Sequence, residues 1–189
     1  MRNINWMSLL ALFVVGPPLQ AEIEQIDIRW NAFKCLETCV PFIERGLQAI
    51  PQVTHIQVNA KEGTASMGWN PTVPFSYEPF KLASATAGIH FDEMRMRVKG
   101  TVSHEGDHLY LTSSGDHTRF LLIGPLKAEP GRYVPRFNVA TRPLTGDAKN
   151  QLLDAEKNGL MVTISGPLFL PSSHSLTLMA EHIKIYESK

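Results

Sequence analysis

The chain has 189 residues, with 18 basic side chains against 18 acidic ones. That length allows one domain or two small ones, and the balanced charge argues against a basic nucleic-acid binder and against an acidic solvating tail. Enough apolar residues are present to bury a core, which excludes wholesale disorder, and two cysteines, Cys35 and Cys39, are too few for a multi-disulfide framework.

The first 21 residues read as an export signal. Arg2 precedes the apolar run Leu9-Leu10-Ala11-Leu12-Phe13-Val14-Val15, Gly16-Pro17-Pro18 breaks it, and Ala21 ends the segment on a small residue suited to cleavage. The run falls short of the about 20 apolar residues that a spanning helix needs. An uncleaved N-terminal anchor is the competing reading. The mature chain is expected to start near Glu22 and to be soluble in a periplasmic or secreted setting. There, two nearby thiols tend to pair unless a metal or a reductant holds them.

Ile26, Ile28 and Trp30 alternate with polar residues and predict a strand. Val40, Ile43, Leu47 and Ile50 recur at helical spacing until Pro51 stops them. Val53, Ile56 and Val58 suggest a second strand, Lys61-Glu62-Gly63 a hairpin turn, and residues 64–69 a third strand. A second helix is predicted over 77–87, with Phe80, Leu82, Ala83 and Ala87 on its apolar side and Gly88 at its C-terminal end. Another strand begins at Ile89. The order strand–helix–strand–strand–helix–strand is that of a ferredoxin-like βαββαβ unit.

Met94, Met96, Val98 and Thr101-Val102 read as a long strand with a bulge or bend at Gly100. Leu109 and Leu111 form another strand after the turn Glu105-Gly106-Asp107. Phe120 to Ile123 is a compact buried strand. Residues 125–145 read as an ordered loop with Arg132, Arg136 and Arg142 near Tyr133 and Phe137, a candidate anion-binding or partner-binding surface or a solvated loop. A helix over 148–157 ends at Asn158-Gly159, and strands at 161–164 and 176–185 close the chain. Three strands, a helix and two strands is the order of a small OB-type β-barrel. The expected architecture is therefore α+β, with a signal peptide at 1–21, a first domain at 22–93 and a barrel domain at 94–189.

Cys35 and Cys39 stand at the start of the first predicted helix, where amide protons and the dipole lower a thiol's pKa, and Lys34 adds a cation. Two thiolates suit a soft ion such as Cu(I), Zn(II) or Hg(II) in linear or trigonal geometry, being too few for a closed tetrahedral zinc site. A disulfide stapling loop to helix, or an inert reduced pair, satisfies the same spacing. Asp107, Asp116, His104, His108 and His117 cluster around two turns and form a borderline metal candidate, although Gly-Asp is also plain turn chemistry. His90 is a possible third ligand or an outward strand residue, and the thioethers of Met94 and Met96 are better explained by a buried strand face. No phosphate loop, nucleophile elbow or zinc-protease motif is present, and no enzyme activity is expected.

The segment from 26 to about 89 resembles the heavy-metal-associated domain of copper chaperones, mercury-binding periplasmic proteins and metal-pumping ATPases. Cys39 precedes Ile43-Glu44-Arg45-Gly46-Leu47 at that family's interval, and Ile50-Pro51-Gln52-Val53 falls where Leu-Pro-Gly-Val is usual. Trp69-Asn70-Pro71 and Ala87-Gly88-Ile89 match two further steps. The chain departs at the loop itself. Cys-Leu-Glu-Thr-Cys is one residue longer, Phe33 replaces the Met that packs under the family's loop, and Lys34 replaces a Thr. The resemblance implies an exported soft-metal binding protein, most plausibly for copper, in a chaperone or sequestration role with a metal-transport or membrane-protein partner and no nucleic acid. The alternative is a non-metal interaction module with a structural Cys35–Cys39 disulfide.

Overall fold

The computed structural model describes residues 22–33, 35, 39–125, 143–169 and 176–187. Within them, β1 (Ile23–Trp30) is followed by α1 (Val40–Gln48), β2 (Val53–Asn59), β3 (Thr64–Trp69), α2 (Glu78–Thr86) and the 15-residue β4 (Phe91–Glu105). Then come β5 (His108–Ser113), β6 (Arg119–Ile123), α3 (Gly146–Lys157), β7 (Met161–Phe169), β8 (Leu176–Met179) and β9 (His182–Tyr186). The fold is α+β, as expected, and residues 1–21 read as an export signal, Lys34 and the segment holding Arg132, Tyr133, Arg136, Phe137 and Arg142 lie outside the described residues.

The front half is an antiparallel sheet in the order β2-β3-β1-β4. Alternation makes it two-faced: Ile26, Ile28, Trp30, Ala65, Met67, Trp69, Met94 and Met96 are buried on one side. Helix α1 contributes Ile43 and Leu47, four residues apart and fully buried, and α2 contributes Phe80 and Ala83. The helices meet where Gly46 faces Ala83; a Cβ on Gly46 would lie 3.0 Å from that of Ala83.

The rear half is a small closed β-barrel. β4 pairs with β5, β5 with β6, β6 in parallel with β8, β8 with β7, and β7 back with β4. This order is consistent with the OB-type barrel read from the sequence. β8 and β9 both run along β7, with Leu178 opposite Leu168 and His182 opposite Ser165. β4 runs through Gly100 without the register shift of a bulge, and Gly100 pairs with both β5 and β7. A Cβ there would meet the Thr112 carbonyl oxygen at 2.1 Å, so only glycine lets the strands approach.

β4 belongs to both halves. Its residues from Phe91 to Val98 pair with β1, and from Arg95 to Thr101 with β7. The division expected at 93/94 thus falls inside one strand, and a single apolar cluster runs from Ile23 and Trp69 to Leu152 and Leu178. A second tie joins the loop after β3 to the turn between β5 and β6. The Trp69 ring packs on Phe75 and Phe80 at 5.1 and 5.9 Å, which presents the Phe75 amide to the barrel. That amide donates to Asp116 Oδ2 at 3.0 Å and to Thr118 Oγ1 at 2.8 Å.

Candidate functional site

β1 ends in a short loop shaped by its own polar groups. Asn31 Oδ1 accepts the Phe33 amide at 3.0 Å, and the Cys35 amide donates to the Ala32 carbonyl at 3.2 Å. Cys39 is the N-cap residue of α1, and its carbonyl accepts from Phe42 at 3.0 Å and Ile43 at 3.1 Å. This geometry returns the chain so that Cys35 and Cys39 come within 5.5 Å at Cα, and the two are joined as a disulfide. Cys35 is 4% exposed, whereas Cys39 is half-buried. Cys35 lines an open depression of about 630 Å³ together with Trp30, Phe33, Val40, Lys61 and Asp92 among others.

One expectation about this loop is corrected. Phe33 does not pack beneath it as an apolar filler; the ring is 94% exposed at the rim of the depression. The Asn31 turn carries it outward. Trp30, which lines the same depression, is 2% exposed, and its indole Nε1 is buried with no hydrogen-bond partner.

The histidine and aspartate cluster does not converge. His104 Nδ1 lies 2.6 Å from Glu156 on α3, and Glu156 Oε1 also accepts the His104 amide at 3.1 Å. Asp107 and His108 are exposed, and His117 occupies a left-handed backbone position at φ 57°. Asp116 is 4% exposed and wholly engaged. Ser113 Oγ and Thr118 Oγ1 donate to it, as do the Thr118 amide at 3.3 Å and the Phe75 amide at 3.0 Å. His90 is exposed, and Met94 and Met96 lie on the buried face of β4. Among the described residues no three His, Cys, Asp or Glu side chains are grouped to hold a metal.

Alternation left a second region unread: the polar face of the sheet, opposite the helices. Towards β2 and β3 its charges are neutralised in place. A depression of about 510 Å³ there is lined by Asp27, Arg29, Gln57, Ser66, Glu93 and Arg95 among others. Glu93 pairs with Arg29 at 3.0 Å and with Arg95 at 3.1 Å, and Arg95 also pairs with Glu181. Burial pulls the Arg95 guanidinium down, but the bonds to Glu181 and Glu93 outweigh it and raise its pKa above the ordinary value. Towards β7 and β9 the face is different, with Arg97, His182 and Lys184 around a depression of about 270 Å³.

No family model, curated protein or solved structure matches the chain. Among the described residues no helix is long and apolar enough to cross a membrane.

Proposed function

We propose that the chain is an exported, two-part protein whose Cys35–Cys39 pair takes one soft metal ion as cargo in its dithiol form. The front half would be a ferredoxin-like unit of the heavy-metal-associated kind, and the rear half an OB-type barrel. Its strand order β2-β3-β1-β4, with neighbours antiparallel and α1 against α2, supports the first assignment. The observation that carries the functional reading is the convergence of two sulfurs at the N-terminus of α1, beside an open depression. Amide protons at that helix end favour thiolates over thiols. Two thiolates with no third donor grouped beside them among the described residues suit Cu(I), with zinc and mercury as weaker candidates.

Redox state would control loading. In the disulfide form no sulfur lone pair is available as a thiolate. A thiol donor of the compartment opens the bond by exchange, supplying two electrons and two protons and leaving as its own disulfide. Binding Cu(I) then releases the two thiol protons. The barrel would orient the front unit or dock a metal-transport or membrane-protein partner, and neither catalysis nor nucleic acid enters this reading.

A second reading is favoured by the closed disulfide and by the exposed Phe33 beside it. There the bond is permanent, and the loop is a rigid contact surface for a partner. A competition titration decides between them. Reduced mature protein is expected to withdraw Cu(I) stoichiometrically from a chelator, and the Cys35→Ser/Cys39→Ser variant is expected to leave it there. Equal uptake by both proteins, or none by either, overturns the metal reading.

A further inference from the structure

The polar face of the sheet changes character along its width, and its β7–β9 end is built in a way that asks for a counter-charge. Side chains of cross-strand partners share a face. In register, Arg97 on β4 stands opposite Ser165 on β7, which stands opposite His182 on β9; one row along, Lys99 faces Thr163, which faces Lys184. Two short hydroxyl side chains of β7 therefore form a floor between cationic side chains of its two neighbours. Strands lie about 4.8 Å apart, so the cationic rows stand about 10 Å from each other.

Arg97, Thr163, Ser165, His182, Lys184 and Tyr186 line the resulting depression of about 270 Å³ together with Ile183 and one carboxylate, Glu24. Thr163 Oγ1 and Tyr186 Oη lie 3.2 Å apart, a hydroxyl pair on its floor. The Tyr186 ring draws in two ammonium groups, Lys184 Nζ at 4.9 Å and Lys99 Nζ at 5.4 Å from its centroid. Among the described residues no ion pair engages Arg97, His182 or Lys184, whereas at the other end of the same face Arg29 and Arg95 are both matched by carboxylates.

The geometry points to a binding site for a phosphoryl or sulfuryl oxyanion carried by a small molecule, seated over Ser165 and Thr163 between Arg97 and Lys184. Hydroxyls and a guanidinium offer directed donors to such a group, and the ammonium adds charge. β9 ends the sheet order, so the rest of the ligand has room to extend past that edge. This site lies on the side of the sheet away from α1 and α2 and makes no use of the cysteines.

The test is an NMR titration of the oxidised mature chain with sodium phosphate, sodium sulfate, glycerol 1-phosphate and sodium chloride at constant ionic strength. Saturable shifts are expected at the amides of Thr163, Ser165, His182 and Lys184 with the oxyanions and not with chloride. Glycerol 1-phosphate is expected to bind at least as tightly as inorganic phosphate. Arg97→Gln/Lys184→Gln is expected to raise Kd about tenfold with the thermal transition unchanged, because both side chains are exposed. Ser165→Ala, which keeps every charge, is expected to weaken binding by a smaller factor. Lys157→Gln, on the last turn of α3, removes a charge elsewhere and is expected to change nothing. Shifts that chloride reproduces, shifts scattered over the surface, or an equal loss in Lys157→Gln would overturn the site, as would a Ser165→Ala protein that binds like the parent.

Discussion

The cysteine loop after β1 and the turn between β5 and β6 look alike in sequence, since each gathers potential metal ligands within a few residues. In three dimensions they are opposites. Around Asp116 both carboxylate oxygens are occupied, by hydroxyls of Ser113 and Thr118 and by amides of Thr118 and Phe75, so the group is an internal strut between the two halves. The sulfurs of Cys35 and Cys39 are joined to each other, through a bond that exchange chemistry can open, and Cys35 lines an open depression. A ligand-type residue is available for function when its neighbours have left its donor atoms uncommitted.

That contrast is easiest to break at the strut. Asp116→Ala strands the Ser113 and Thr118 hydroxyls and the Thr118 amide in a buried place, leaves the Phe75 amide with Thr118 Oγ1 alone, and is expected to cost about 3 kcal/mol in urea unfolding. Its reduced form is expected to keep Cu(I) uptake under conditions where it remains folded. Loss of uptake without loss of stability would erase the distinction between the two regions.

Reducing the Cys35–Cys39 bond is the next largest effect. A closed loop of five residues constrains the unfolded chain modestly, so the dithiol form is expected to be less stable by about 2 kcal/mol in the chain-entropy estimate. Comparing thermal transitions with and without reductant checks it, and a drop large enough to unfold the protein would favour a permanent structural bond.

The smallest effect sharpens the junction rather than the loop. Glu22 lies beside the Asp116 turn, its Oε2 buried without a partner, and a Cβ on Gly115 would come within 3.3 Å of it. Burial raises the Glu22 pKa, with Asp116 adding to the rise and Ser114, Lys99 and His117 opposing it. A raised carboxyl binds its proton more tightly when folded. Its contribution is therefore present below the unfolded value and lost as pH rises through the folded one. Glu22→Gln is expected to raise the melting temperature slightly at neutral pH and to flatten the pH profile just above the ordinary carboxylate range.

Periodicity made most elements legible. Residues 64–69 were bounded by turn residues on both sides, and β3 occupies them; Ile43 and Leu47 marked the buried stripe of α1. β7 was read short, to 164, because Gly166-Pro167 resembles a stop. The strand continues to Phe169, with Pro167 opposite Arg95 and Gly166 pressed against the Met179 carbonyl. Neighbours across the sheet were not legible at all. Alternation places Arg95, Arg97 and Lys99 on one face of β4, but nothing local says that β9 lies beyond β7 with His182 and Lys184 in line. The loop was half legible: spacing suggested that the two cysteines meet, while the exposure of Phe33 depends on the Asn31 turn.

The most direct test of the central claim is the X-ray absorption spectrum of the reduced mature chain loaded with one equivalent of Cu(I). Two sulfur scatterers and no imidazole or carboxylate shell is the result expected if Cys35 and Cys39 hold the ion together. A spectrum dominated by nitrogen or oxygen donors, or one that the Cys35→Ser/Cys39→Ser protein reproduces, would contradict it.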